Sequence, residues 1–287
     1  MIIVKLQGRL GNQMFQYALA KNLQSIGKAV TIDSGMLPYD GNVNELGLFP
    51  NVREEMQEAD RKLVENLGDC NKAFLCKVKR KTIGYKKTHI REIGYQFHPE
   101  IMDMDNVYLD GYWQTEKYFK SIEDQIRKLY TFPEITDEIN KETVRQIQTC
   151  DSVSIHIRRG DYLNAQNAPM HGNICTKDYY DKAIAYMREQ VENPRFFIFT
   201  DDTAWARQEY KNQDDFVIID NNHGNQSFRD MQLMSLCKHN ITANSSFSWW
   251  GAWLNQNPNK IVVTPPKWFN LAETPDIWCE EWKIMSD

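Results

Sequence analysis

The 287-residue chain has no Cys-x-x-Cys pair. Its six cysteines, Cys70, Cys76, Cys150, Cys175, Cys237 and Cys279, are scattered. That spacing points to neither a zinc site nor a redox pair, and it fits free thiols in a reducing compartment. No apolar run is long enough to span a bilayer. "MIIVKLQG" enters a strand with no signal-peptide pattern, so the protein is expected to stay in the cytoplasm where it is made. Without such a signal, the N-x-[ST] sequons at Asn225, Asn240 and Asn244 carry no meaning. There is no excess of positive charge either. A net charge of −5 argues against nucleic acid as a partner. Internal repeats and low-complexity segments are missing.

One acid-free stretch is also strongly basic. Between Asn71 and Arg91 there are no acidic residues, while Lys72, Lys77, Lys79, Arg80, Lys81, Lys86, Lys87 and Arg91 crowd in. The favoured reading is a solvated basic face. The alternative is a patch that meets an anionic membrane surface or an acidic glycan, giving peripheral contact at the inner face of a membrane.

The familiar glycine cradles are also missing. In "GRLGNQMFQYALAKNL" (8–23), Gly8 and Gly11 sit three apart. That matches neither the dinucleotide spacing nor the P-loop with its lysine. The turn still joins a strand (2–6) to a helix (13–26), which is followed by a strand at 29–33. Residues 52–67 read as one charged surface helix, and 106–114 as a strand closing the first half. "TFPEITDEIN" (131–140) changes composition and crosses between domains. The length suits two domains of roughly 150 residues, placed at 1–149 and 150–287. In the second, strands at 152–157, 196–200, 216–220, 240–243 and 260–264 alternate with helices at 178–191, 203–211, 228–237 and 248–256. This alternation predicts an α/β fold on a parallel doubly wound sheet, with ligands beyond the C-terminal strand ends.

Three strand ends carry polar residues. "HIRRGDY" (156–162) puts His156 and Arg158 on one face, with Arg158 and Arg159 where the strand yields to a glycine turn. Adjacent arginines there form an anion clamp with planar, bidentate donors. In "TDD" (200–202), Asp202 or Thr203 reads as a helix N-cap. Asp201 is a candidate acceptor for the paired N–H donors of guanine. In "NSSFSWWGAW" (244–253), Asn244, Ser245, Ser246 and Phe247 precede or open a helix whose N-terminal N–H groups suit phosphate. An N-capping serine and an aromatic core helix satisfy the same pattern. "DMD" (103–105) is a weak D-x-D match, better read as a turn before a strand. Together these pieces describe a nucleotide diphosphate site with no metal cluster beside it.

"GRLGNQMFQYA", "LDGYWQTEKYF", "HIRRGDY", "FTDD" and "DMQLMSLCKHNITANSSFSWWGAWL" resemble the inverting α1,2-fucosyltransferases, particularly their bacterial members, over nearly the whole chain. The resemblance implies a GT-B fold: two Rossmann-like domains facing a cleft, the first on the acceptor side and the second binding the donor. It implies GDP-fucose as donor, a galactoside acceptor modified on its 2-hydroxyl, and no cofactor or metal. It suggests His156 and Asp201 near the guanosine, Arg158 and Arg159 on the diphosphate, and Ser245, Ser246 and Phe247 supporting it. The loop of Gly8 and Gly11 would lie near the sugar, with Asn12 bonded to the fucose or the acceptor hydroxyl. Asp161 is the candidate general base, or else it orients the arginines. Animal members carry a membrane anchor before this point, so the chain looks like a bacterial, cytosolic enzyme of glycan or O-antigen biosynthesis. The alternatives are another fucosyl linkage, α1,6 or to protein, and a sugar-binding module without turnover.

Overall fold

The computed structural model describes residues 1–70, 73–211 and 213–286, with the side chains of Leu75 and Lys77 outside that description. Lys72 therefore lies outside the described residues. The chain forms two units, Met1–Pro133 with Pro275–Ile277, and Glu134–Thr274 with Trp278–Asp287. The divide falls inside the 131–140 segment and not at 149/150. The helix Glu138–Gln148 belongs to the second unit because its polar face is tied there. Asn140 donates to Asn222 at 2.8 Å, and Arg229 reaches the Glu134 carbonyl at 2.8 Å.

The first unit has strands β1 (Ile2–Lys5), β2 (Val30–Asp33), β3 (His89–Arg91) and β4 (Val107–Asp110), all parallel in the order β2-β1-β4-β3. β1 is apolar and almost wholly buried, as a strand covered on both faces must be. The helix Leu10–Ser25 buries thirteen of its sixteen residues, including Met14, Phe15, Leu19 and Leu23. It starts three residues before the periodicity suggested. The expected helix over 52–67 is two, Pro50–Glu55 and Arg61–Leu67. The chain breaks between them to bond across β2: Ile32 N–H donates to Gln57 O, and Ala59 N–H to Ile32 O. Asp60 then caps the restart by accepting from Lys62 N–H at 2.8 Å.

The second unit has strands β5 (Asp151–Ile157), β6 (Pro194–Thr200), β7 (Phe216–Ile219), β8 (His239–Ile241), β9 (Val262–Thr264) and β10 (Lys283–Ile284). Their order is β10-β9-β8-β5-β6-β7, all parallel. Renumbered within the unit, this is 3-2-1-4-5-6, the order of a dinucleotide-type sheet. The strand order reverses between β5 and β8, the switch point at which such sheets leave a crevice beyond their strand ends. One face of β5 (Val153, Ile155, Ile157) packs on Tyr180, Ala183, Ile184 and Met187 of the helix Lys177–Gln190. Beyond β8, the helix Ser246–Leu254 buries Trp249, Trp250 and Trp253. Both units thus have the α/β, doubly wound, parallel architecture expected of a GT-B chain.

Candidate active site

β5 and β8 deliver the two sides of the crevice. On β5, alternation sends Ile155 and Ile157 into the helix-packed core and leaves His156 and Arg158 on the other face. His156 is buried, its ring 5.7 Å from that of Phe247 at the start of the facing helix. Among the described residues its Nδ1 has no hydrogen-bond partner. Burial and then the Arg158 charge push its pKa down to about 3, against the pull of Asp201, so the imidazole is neutral at physiological pH.

The arginines are held by carboxylates from their own turn and from the end of β6. Arg158 places Nη2 2.8 Å from Asp161 Oδ1 and Nη1 3.1 Å from Asp201 Oδ2. Arg159 sets Nε 3.2 Å from Asp202 Oδ2, and its guanidinium lies 4.4 Å from the Trp205 ring centroid. Asp202 also caps the helix Thr203–Glu209 by accepting from Trp205 N–H. Asp201 differs from expectation. Its Oδ1 accepts backbone N–H groups from Arg159 (2.9 Å) and Gly160 (3.1 Å), and its Oδ2 faces Arg158. A carboxylate offers about four acceptor directions. Three are used here, and a guanine edge needs two, so Asp201 in this arrangement holds the turn. A side chain at Gly160 would bring Cβ 3.0 Å from Asp201 Oδ2, so the turn closes tightly on the carboxylate.

On the β8 side, Ser245 caps the helix Ser246–Leu254 and accepts from Phe247 N–H at 3.4 Å. The capping serine and the aromatic core helix are therefore both present. Ser246 and Phe247 occupy the first turn and are partly exposed. Asn244 is used inward: its amide donates to His171 O (3.2 Å) and Trp268 O (3.1 Å), and its oxygen accepts from Cys175 Sγ. In this arrangement its side chain braces the wall.

A pocket of about 200 Å³ opens beside the clamp, lined by Arg158, Arg159, Tyr162, His171, Lys177 and Asn244 among others. Tyr162 donates to Asn244 O at 3.1 Å and stacks on His171, centroids 4.7 Å apart. Among the described residues His171 Nδ1 has no partner. Sequence reading missed His171, the last residue of the four-residue helix Ala168–His171, and Lys177, the first residue of the helix Lys177–Gln190; a single turn is too short to show a period. Tyr162 was visible as the last letter of "HIRRGDY", though no role was attached to it.

In the first unit Gly8 has φ +72°, and a Cβ there would lie 2.3 Å from Asn12 Nδ2. Glycine is required for this turn. Gly11 is buried in the first turn of the helix. Asn12 Oδ1 accepts from Gln114 Nε2 at 2.8 Å. The helix N-terminus is already occupied by an anion: the Glu45 carboxylate accepts from Leu10 N–H. Burial raises the Glu45 pKa, while that bond and Arg9 oppose the shift. Asp110, at the end of β4, pairs with Lys5 (2.8 Å) and His89 (3.2 Å). Nearby, Glu92 accepts from the Tyr112 and Trp113 N–H groups, and burial raises its pKa to about 7. Those bonds brace Trp113 at φ 56°, a left-handed conformation that is rare for so bulky a residue. The D-x-D match is a turn before β4, in which Asp105 accepts from the N-terminal ammonium at 2.6 Å.

Family comparison fits this geometry. The model of glycosyl transferase family 11 matches residues 84–285. The chain belongs to this family. The alpha-1,2-colitosyltransferase of Escherichia coli is 34% identical over 290 residues, which cover 95% of this chain and 93% of that one. The O-antigen biosynthesis glycosyltransferase WbnK of Escherichia coli is 32% identical, over 96% and 98%. A more distant relative is galactoside 2-alpha-L-fucosyltransferase Sec1 of Mus musculus, 23% identical over 88% of this chain and 64% of that one. The family 11 match includes β5, β6 and β8, and so contains the whole of the second-unit crevice.

Proposed function

We propose that this family 11 glycosyltransferase moves L-fucose from GDP-fucose to the 2-hydroxyl of a terminal galactose, with inversion and without a metal. The observation that carries the reading is the pair of carboxylate-held guanidinium groups, Arg158 and Arg159, at the β5–β8 switch point. In the reaction, the acceptor oxygen bonds to the anomeric carbon as the carbon–phosphate-oxygen bond breaks. The electron pair leaves with GDP, and the acceptor proton departs late in the step. Charge grows on the diphosphate, where preorganised donors stabilise the transition state by about 3–4 kcal/mol each. Neutral His156 shares the β5 face of Arg158, and its Nδ1, without a partner among the described residues, adds no repulsive charge beside the clamp. Asp161 is paired with Arg158, which favours positioning over general-base work. The names of the two Escherichia coli relatives support an O-antigen setting and an α1,2 linkage.

The colitosyltransferase relative favours one second reading, a GDP-colitose donor. Colitose is fucose without its 3-hydroxyl. The deciding experiment incubates the protein with each donor and a panel of galactosides, then determines the product linkage. The reading expects a fucosyl α1,2-galactoside. Transfer from GDP-colitose alone replaces the donor assignment. Transfer to another position overturns the linkage, and GDP binding without transfer from either donor leaves only a binding module.

A further inference from the structure

The basic segment after residue 72 is also apolar on its outside. The helix Phe74–Thr82 exposes Phe74 (77%) and Val78 (42%), one turn apart on one face. Beyond its C-terminus, Ile83 (78%), Tyr85 (40%) and Ile93 (78%) are exposed as well. Lys79 and Lys81 are exposed and flank the strip formed by Phe74 and Val78. Two other cations of the segment are tied to the first unit. Arg80 Nη1 donates to Asp69 O at 2.9 Å, and Lys86 Nζ donates to the Asn66 and Gly68 carbonyls at 3.1 Å. These bonds fix the segment to the first unit. Arg91 lies 4.9 Å from the Tyr85 ring centroid.

We propose that segment 74–93 docks the protein on an anionic lipid surface. Charge alone is explained by solvation, and an acidic glycan or protein would satisfy the lysines. Neither accounts for large apolar side chains placed outward among them. An amphipathic helix with apolar groups on its outer face and lysines at the edges suits the headgroup boundary, where the ammonium groups snorkel to phosphate. From Phe74 to Arg91 the segment has no carboxylate to repel an anionic leaflet, and Glu92 is turned onto the Tyr112 and Trp113 N–H groups, although the chain as a whole carries a net charge of −5. Docking here makes the basic face a local attractor on an otherwise repelled molecule.

The test is co-sedimentation of the full-length protein with vesicles of phosphatidylcholine alone, or with phosphatidylglycerol added. The proposal expects binding to the anionic vesicles only, weakened by salt. The double variant Phe74→Ser/Ile83→Ser and the double variant Lys79→Glu/Lys81→Glu should each lower vesicle affinity by about tenfold or more. A control, Lys62→Glu/Lys128→Glu, should change it little. All six positions are exposed, so the fold should survive, and GDP affinity measured in parallel should stay at wild type. The proposal is overturned by three results: no binding to anionic vesicles, loss as large in the control, or concentration-dependent self-association abolished by Phe74→Ser/Ile83→Ser. Because the readout is lipid binding, failure here leaves the sugar-transfer reading untouched.

Discussion

Arg158 lies between two carboxylates, Nη1 3.1 Å from Asp201 Oδ2 and Nη2 2.8 Å from Asp161 Oδ1. The guanidinium is thereby aimed before any ligand arrives. Such preorganisation is what makes a donor effective in a transition state, because no reorganisation is needed as charge develops.

Asp201→Asn separates two roles for that carboxylate. The amide keeps an acceptor for the Arg159 and Gly160 N–H groups but weakens the hold on Arg158. Affinity for GDP and ADP should fall together, by roughly tenfold, equivalent to about 1.4 kcal/mol. Calorimetry with both nucleotides checks this. A selective loss of GDP affinity would return Asp201 to reading guanine.

Gly8→Ala should destabilise the first unit by roughly 1–3 kcal/mol, the cost of a strained backbone region. The φ of +72° and the Cβ clash with Asn12 act together. Thermal melting measures the effect, and an unchanged melting temperature would mean that the turn reshapes freely.

Two buried groups predict opposite pH dependences. His156, pushed down to about 3, binds a proton only in the unfolded chain between that value and its ordinary 6.5. Its contribution is full above pH 6.5 and falls by roughly 1.4 kcal/mol per unit as pH drops toward 3. Asp230, raised by burial to about 7 against a weaker pull from Asn222, holds its proton in the folded chain. Its contribution is full below pH 3.8 and declines as pH rises to about 7. Denaturant titrations at pH 5, 6 and 7 should therefore show His156→Gln gaining on wild type toward acid and Asp230→Asn gaining toward neutrality. Parallel profiles for variant and wild type would contradict both environments.

Activity should survive excess EDTA, because the proposed reaction places two guanidinium groups where a divalent cation would neutralise the leaving diphosphate. Loss of turnover restored by manganese or magnesium would reverse that expectation and reopen Asp103 and Asp105.

Most of the second unit was legible because its strands are short apolar runs bounded by turn residues, such as "FFIFT" before Asp201. β3 was not, since three residues inside a basic stretch carry no usable period, and β10 has only two. The helix over 52–67 was misread because β2 captures the chain at residues 57–59, a long-range bond without local signature. At the site, Arg158, Arg159 and His156 could be placed from strand alternation alone. The inward bonds of Asn244 could not, since its partners His171 and Trp268 meet it only in the folded chain. Likewise the basic stretch showed its charge in the sequence, while the outward aim of Phe74 and Ile83 appeared only in the fold.

The most direct test of the central claim is calorimetric GDP binding to wild type, Arg158→Lys and Arg159→Lys, with turnover and melting temperature measured on the same samples. Lysine keeps the charge and loses the planar fork. The account predicts GDP binding by wild type and roughly tenfold weaker binding by each variant. Turnover should fall further, by about 10²–10³, because the fork acts most strongly on transition-state charge. Melting temperatures should stay close to wild type, since both side chains lie at a strand end outside the core. Variants that bind and turn over as wild type would contradict the clamp. Activity lost only in step with early melting would make the arginines structural.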